Sequence, residues 1–221
     1  MKIGICIPFY YNSEEAKDRL IYLLETIKDQ NFADLCKIAV VVDGPDANFL
    51  KQYDGKYGIK VLYLSVHQGV SAARNVGIDY LQDKECRYIG FIDADDSISG
   101  DYIISAYEAC ETNEYDILDS RFVQNIEIFG TLEGRKKQNK TLRNGVTGVF
   151  IRNSLINNNR FDKNLLVGED NEFINRVINL SRHTKGTFDG IYVYNYGVNP
   201  ESIIMRAAQN RLTKWQWAMY N

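Results

Sequence analysis

RYIGFIDADDS, residues 87–97, is an apolar run that ends in three carboxylates, Asp93, Asp95 and Asp96. Acids crowded at a strand tip repel one another and lose hydration, so they call for a cation or for hydrogen-bond donors. A hard divalent ion that carries phosphates meets that need. The stretch therefore predicts a buried strand over 88–92 whose carboxyl end is the floor of a nucleotide-diphosphate site.

Upstream of it, strand and helix alternate. Residues 3–8 are a continuous apolar run with β-branched members, as in a strand covered on both faces. Asn12 and Ser13 can cap the helix that follows, Glu14 and Glu15 suit its positive end, and Leu20, Leu23, Leu24 and Ile27 recur at amphipathic spacing. A second buried strand, 38–42, runs into the turn Asp43-Gly44-Pro45-Asp46. A short helix is predicted over 48–57 and a third strand over 59–66. Gly69 and Ser71 then open a helix with Val70, Ala73, Val76, Gly77, Tyr80 and Leu81 on one side. This order indicates an α/β fold with a mixed, mainly parallel sheet flanked by helices. Ligands of such sheets sit at the carboxyl ends of strands. Tyr10-Tyr11-Asn12, Asp43 and Asp93 to Asp96 all fall there.

Downstream, a helix is predicted over 101–111, an extended run over 116–123 and a weakly patterned stretch over 124–144. The segment RKKQNK, 135–140, reads as a solvated loop. Apolar structure resumes over 146–151. Gly168-Glu169-Asp170 precedes a helix carrying Phe173, Ile174, Val177 and Ile178, and a strand over 191–196 ends at Asn199-Pro200-Glu201-Ser202. Ile204, Ala208, Leu212, Trp215 and Met219 form a stripe on a last helix, suited to core packing, dimer contact or a peripheral membrane surface. The expected organisation is one domain: a donor-binding half (1–97), an acceptor-binding half (98–200) and a C-terminal helix (201–221).

With 26 basic against 29 acidic residues and a net charge of −3, the chain lacks the basic surplus of a generic nucleic-acid binder. Cys6, Cys36, Cys86 and Cys110 lie far apart without metal-ligand or CxxC spacing, which fits reduced thiols in a cytoplasmic protein. The opening MKIGICIPF turns polar too soon for a signal peptide, and no run reaches the roughly 20 apolar residues of a membrane span. His67 and His183 are lone histidines with no assigned site. Tyr192, Tyr194 and Tyr196 alternate at period two and read as one face of a strand.

Five motifs, each at a predicted strand or helix end, together resemble the GT-A fold family 2 glycosyltransferases. They are Pro8-Phe9-Tyr10-Tyr11-Asn12, Asp43-Gly44, Gly69-Val70-Ser71-Ala72-Ala73-Arg74-Asn75, Phe91-Ile92-Asp93-Ala94-Asp95-Asp96 and Gly168-Glu169-Asp170. The resemblance spans roughly residues 2–200. It implies a Rossmann-like GT-A domain that moves one sugar, with inversion, from a UDP-sugar to an acceptor hydroxyl. The expected setting is assembly of a cell-surface polysaccharide or glycolipid, in the cytoplasm or at the inner face of the membrane.

By the same resemblance Pro8, Tyr10, Tyr11, Asp43 and Arg74 contact the nucleotide, and Asp93 binds its ribose. Asp95 of the DxD motif ligates Mn²⁺ or Mg²⁺ with the diphosphate, and Asp170 is the general base, with Glu169 the neighbouring alternative. The division of labour is chemically sound, because an ion bridging the leaving diphosphate leaves a separate carboxylate free to accept the acceptor's proton. Two departures stand out. An extra residue between Pro8 and Asn12 leaves either tyrosine facing the nucleotide, and Trp215 and Trp217 lack the Gln-x-x-Arg-Trp element of processive members. The rival readings are a nucleotidyltransferase, which would want a Gly-rich basic loop after the first strand, and a non-catalytic nucleotide-sugar binding protein.

Overall fold

The computed structural model describes residues 2–196 apart from 31, 33, 46, 113, 129–130, 133–135, 138–144 and 180–183. The predicted C-terminal helix, the Asn199–Ser202 turn and His183 lie outside the described residues.

Strand β1 (Ile3–Phe9) is buried along its whole length and leads into α1 (Glu14–Asp29). The Ser13 side chain caps that helix by accepting from the Ala16 N–H at 3.1 Å, and Glu14 and Glu15 occupy its first turn. Next come β2 (Cys36–Val42), a 3-10 turn at Asn48–Gln52 and β3 (Ile59–Tyr63). Helix α2 (Val70–Asp83) starts after Gly69, whose φ of 93° suits glycine. Strand β4 (Tyr88–Phe91) closes the alternating half.

The remainder comprises β5 (Ser97–Ile98), α3 (Tyr102–Thr112), β6 (Ile117–Ile128), β7 (Thr131–Leu132), β8 (Lys136–Lys137) and β9 (Val149–Arg152). After these come α4 (Asn153–Ile156), α5 (Glu169–Asn179) and β10 (Lys185–Tyr196). The sheet order is β3-β2-β1-β4-β9-β6-β10-β5. Strands β3, β2, β1 and β4 are mutually parallel, β9 runs antiparallel between β4 and β6, and β10 is parallel to β6.

Alternate residues of β1 feed the two faces of this sheet. Ile3, Ile5 and Ile7 pack with Leu20, Leu23 and Leu24 of α1 and with Tyr102 and Ile103 of α3. Cys6 packs on the other face with Ala72, Ala73 and Ile78 of α2 and Phe173, Ile174 and Val177 of α5. Burying each large side chain this way contributes about 1.5–3 kcal/mol. The result sets α2 and α5 on the same face of the sheet, each with its first turn near the carboxyl end of the parallel strands.

Several sequence expectations need correction. Strand β3 stops at Tyr63, and Val66, expected inside it, is 60% exposed. The helix expected over 48–57 is only the 3-10 turn at Asn48–Gln52. Strand β9 starts at Val149, while β6 extends to Ile128. Lys136 and Lys137, expected in a solvated loop, pair with Gln124 and Val123 as β8. The last described strand begins at Lys185, six residues earlier than expected, because Lys185 pairs in register with Ile117. Its polar start is held by a neighbour rather than by an apolar pattern of its own.

Candidate active site

The carboxyl ends of β1, β2 and β4 and the first turns of α2 and α5 converge on one place. At the end of β2, Asp43 is buried, and its two oxygens accept from the backbone N–H groups of Gln68 at 2.7 Å and Gly69 at 2.8 Å. His67 Nδ1 lies 2.9 Å from the same carboxylate. Asp43 thus fixes the turn into α2, and this demand on the amides of 68 and 69 pulls the chain out of β3 before Val66.

Past the end of β1, where Pro8 is buried beside Val41, the two tyrosines diverge. The Tyr10 ring is 48% exposed and lies 4.3 Å, centroid to centroid, from His67. Tyr11 packs on Phe9 and Phe49, and its hydroxyl donates to Glu14. Of the pair, Tyr10 offers an open aromatic face.

The acids after β4 separate into distinct environments. Asp96 is 2% exposed and accepts from the Tyr192 hydroxyl and from the Asn195 N–H at 2.8 Å. Burial, reinforced by Asp95 and Asp93, pushes its carboxyl well above the ordinary range. Asp95 is half-buried and lines an open cleft of about 300 Å³ shared with Arg19 of α1 and Asn195 of β10. Burial and the neighbouring Asp93 raise its carboxyl to about 6. Asp93 accepts from Arg74 Nη2 at 2.9 Å.

Arg74 is 3% exposed, and its Nη1 reaches across to Glu169 Oε1 at 2.8 Å. Burial works against its charge, but Asp93 and Glu169 outweigh that and hold it fully protonated. Beside Glu169, Asp170 Oδ1 accepts from the Asn171 N–H at 2.8 Å. Its other oxygen lies so near Gly145 that a Cβ there would come within 2.8 Å. The 145–148 segment is tied to β4 by the Gly148 N–H, which donates to the Phe91 carbonyl at 2.8 Å. Asp170 therefore stands at the tip of the strand that leads into Asp93, although the two are remote in sequence.

The family model described as "Glycosyl transferase family 2" matches residues 4–179, more than half of the chain. The chain belongs to glycosyl transferase family 2. It is 27% identical over 220 residues to the Bacillus subtilis "Minor teichoic acid biosynthesis protein GgaB", covering 86% of this chain and 23% of that protein. To the B. subtilis "Minor teichoic acid biosynthesis protein GgaA" it is 25% identical over 233 residues, covering 94% of this chain and 50% of that protein. The chain thus spans at most half the length of these curated relatives. Among solved structures, S. aureus TarS 1-349 in complex with UDP-GlcNAc superposes with a TM-score of 0.68 at 18% identity, over 90% of this chain and 60% of that one. S. aureus TarS 1-349 in complex with UDP gives a TM-score of 0.68 at 19% identity, over 91% of this chain and 62% of that one. At such identities the likeness shows the fold, a mixed, mainly parallel GT-A sheet.

On this family 2 scaffold, every candidate named from the sequence lies at a strand's carboxyl end or in the first turns of α2 and α5. Three contributors, His67, Tyr192 and Asn195, are not assigned to the site by sequence. His67 has no partner at regular spacing, and only its place at a strand-to-helix turn signals it. Tyr192 and Asn195 reach the acidic loop from β10 across separations of 96 and 99 residues, which no local pattern announces.

A divalent ion fits the donor set only in company with a ligand. Among the described residues no three His, Cys, Asp or Glu side chains form a metal cage. Asp96 is occupied by Tyr192 and Asn195, which leaves Asp95, facing the cleft, with a carboxyl raised by burial and by the neighbouring Asp93, a state that a cation would relieve. One carboxylate plus diphosphate oxygens is a common arrangement for Mg²⁺.

Proposed function

We propose that this chain is the catalytic domain of an inverting, metal-dependent glycosyltransferase that moves one sugar from a UDP-sugar to an acceptor hydroxyl. The observation that carries this is the Arg74 bridge from Asp93 to Glu169, which puts the acidic loop and the Asp170 turn at one site. Membership of glycosyl transferase family 2 supports the reaction class. The teichoic acid names of the B. subtilis relatives support a cell-surface polymer, or a glycolipid precursor of one, as the acceptor. The UDP and UDP-GlcNAc complexes of TarS support a UDP-sugar donor, a hexose or hexosamine.

In this reading residues 1–97 hold the donor and residues 98–200 shape the acceptor side. Pro8, Asp43 and the Tyr10–His67 pair border the base, Tyr11 backs that wall, and Asp93 takes the ribose. Asp95 would hold Mn²⁺ or Mg²⁺, which when bound neutralises charge on the departing diphosphate. Asp170 accepts the proton of the acceptor hydroxyl as its oxygen attacks the anomeric carbon. The bond to UDP breaks on the opposite face, and the configuration inverts.

The four cysteines are free and buried, which suits a reducing cytoplasm. Among the described residues no helix is long and apolar enough to cross a membrane, so we assign contact with its inner face, where it occurs, to a peripheral mode. A screen of nucleotide sugars for Mn²⁺-dependent release of nucleotide tests the donor, the ion and the reaction together. Turnover of at least one UDP-sugar, abolished by chelator, is the expected result. Binding of UDP without turnover of any donor or transfer to any acceptor would favour a non-catalytic binding protein.

A further inference from the structure

Resting on that reading of the site, we infer that Arg74 is a positioning residue: it fixes the turn that bears Asp170 against the donor-binding acid Asp93, rather than touching the nucleotide itself. The guanidinium is 3% exposed, and both of its terminal nitrogens are engaged, one by Asp93 and one by Glu169, at 2.9 and 2.8 Å. Its Nε is buried as well. Almost nothing of the guanidinium is left at the surface for a ligand.

The side chain instead ties α2, β4 and α5 together. Its guanidinium carbon lies 5.3 Å from the centroid of the Phe161 ring, and Phe161 stacks on Phe173 of α5 with centroids 4.0 Å apart. The next residue, Asn75, clamps the Phe161 backbone in both directions, donating to its carbonyl at 2.9 Å and accepting from its N–H at 2.8 Å. The Arg74-Asn75 pair therefore grips both ends of the loop over 162–168, at Phe161 and at Glu169. The tip of that loop presents Leu165, Leu166 and Val167, which are 37%, 80% and 52% exposed. A loop with so little of its tip buried does not fix its own ends. The place of Asp170, next in sequence to Glu169, is set by the anchors on α2.

Chemistry explains the choice of arginine. Asp93 and Glu169 would repel each other across a buried gap, and a planar fork can serve two carboxylates in fixed directions where an ammonium cannot. Because a displacement of about 1 Å at a reacting group can cost roughly 100-fold in rate, a strut of this kind acts on turnover more than on binding.

Arg74→Lys, Glu169→Gln and the double variant of the full chain test this. The readouts are the Kd for UDP by calorimetry, kcat and KM for donor turnover, and hydrogen exchange over residues 168–173. Each single change is expected to lower kcat about 10- to 100-fold while the Kd for UDP stays within about threefold. The double variant should be little worse than the poorer single, since both weaken the same Arg74–Glu169 contact. Exchange in the first turn of α5 should quicken in each.

A tenfold or larger rise in the Kd for UDP with kcat retained in Arg74→Lys makes Arg74 a nucleotide contact and overturns the inference. Wild-type kcat or unchanged exchange in Glu169→Gln overturns it too, and does so even where Arg74→Lys fails to fold. Hydrogen exchange also separates the two readings. A wild-type chain that turns over no donor sinks the transferase, while faster exchange in the α5 turn of the variants still upholds the strut, and unchanged exchange removes it.

Discussion

The hydroxyl of Tyr192 on β10 donates to the buried carboxylate of Asp96, and the same oxygen accepts from the Asp93 N–H at 3.2 Å. One phenol thus closes the acidic loop at both ends, while Asn195 holds its middle through the Asp95 carbonyl at 2.9 Å. Tyr192→Phe keeps the ring beside Phe122 and removes the hydroxyl. Leaving a buried acceptor short of a donor costs about 1–3 kcal/mol. Thermal unfolding should show a melting temperature lower by several degrees, at about 2–4 °C per kcal/mol for a chain of this size. An unchanged melting temperature would mean that the loop does not depend on this clamp.

In the first turn of α5, Glu169 is committed to Arg74 and Glu172 to Arg176, whereas Asp170 accepts only the Asn171 N–H among the described contacts. Asp170→Asn preserves shape and the hydrogen bond from Asn171 but cannot take a proton. Transfer should fall by about 10²–10⁴-fold, the usual contribution of a positioned base. UDP should bind as to the parent chain. Calorimetry and a transfer assay on the same preparation check both halves, and undiminished turnover removes Asp170 from the chemistry.

The first half of the fold is legible because local and global demands agree there. Strands β1, β2 and β4 are continuous apolar runs, and α1 carries its own cap and stripe, so the pattern of each names its element. Val66 breaks that agreement: it is apolar, but Asp43 needs the amides of Gln68 and Gly69, and the turn that supplies them leaves Val66 in solvent. The opposite error occurs at Lys185, where a polar, glycine-bearing start is made a strand by its pairing with β6. The site divides along the same line. Its acids are visible as a run, whereas the contacts that give them separate environments, Arg74 to Glu169 and Tyr192 to Asp96, span 95 and 96 residues and leave no trace in local spacing.

Burial pushes the thiols of Cys6 and Cys110 up to about 12 and that of Cys86 to about 11, so the folded chain keeps them protonated where an unfolded chain would not. A group with a raised folded pKa contributes stability that is whole below its unfolded value and is lost as pH rises through the folded one. The window runs from about 9, where an exposed thiol titrates, to about 12. At pH 8 a thiol-specific disulfide reagent should leave all four cysteines unmodified in the native chain and label all four in denaturant. Stability measured by urea unfolding should decline above pH 9. Rapid labelling of the folded chain would refute the burial of these thiols.

Two glycine-to-alanine changes separate packing from catalysis. A Cβ at Gly77 would lie 2.3 Å from the Cys6 sulfur and 3.2 Å from its Cβ, inside the seam between α2 and β1. The Cys6 thiol would have to shift within a fully buried seam, so Gly77→Ala should destabilise the fold by about 1–3 kcal/mol and leave the rate per folded molecule near that of the parent. A Cβ at Gly145 would instead meet the end of one flexible side chain, Asp170 Oδ2 at 2.8 Å, with the Asp170 carboxyl carbon next at 3.8 Å. The carboxylate can yield, so stability should change little, yet it must leave the position from which, on the proposed mechanism, it would take the acceptor's proton. Gly145→Ala should lower kcat about tenfold or more with the Kd for UDP unchanged, because small displacements at a reacting group are costly. A parental kcat in that variant would show that the close approach of Gly145 does not set the working position of Asp170.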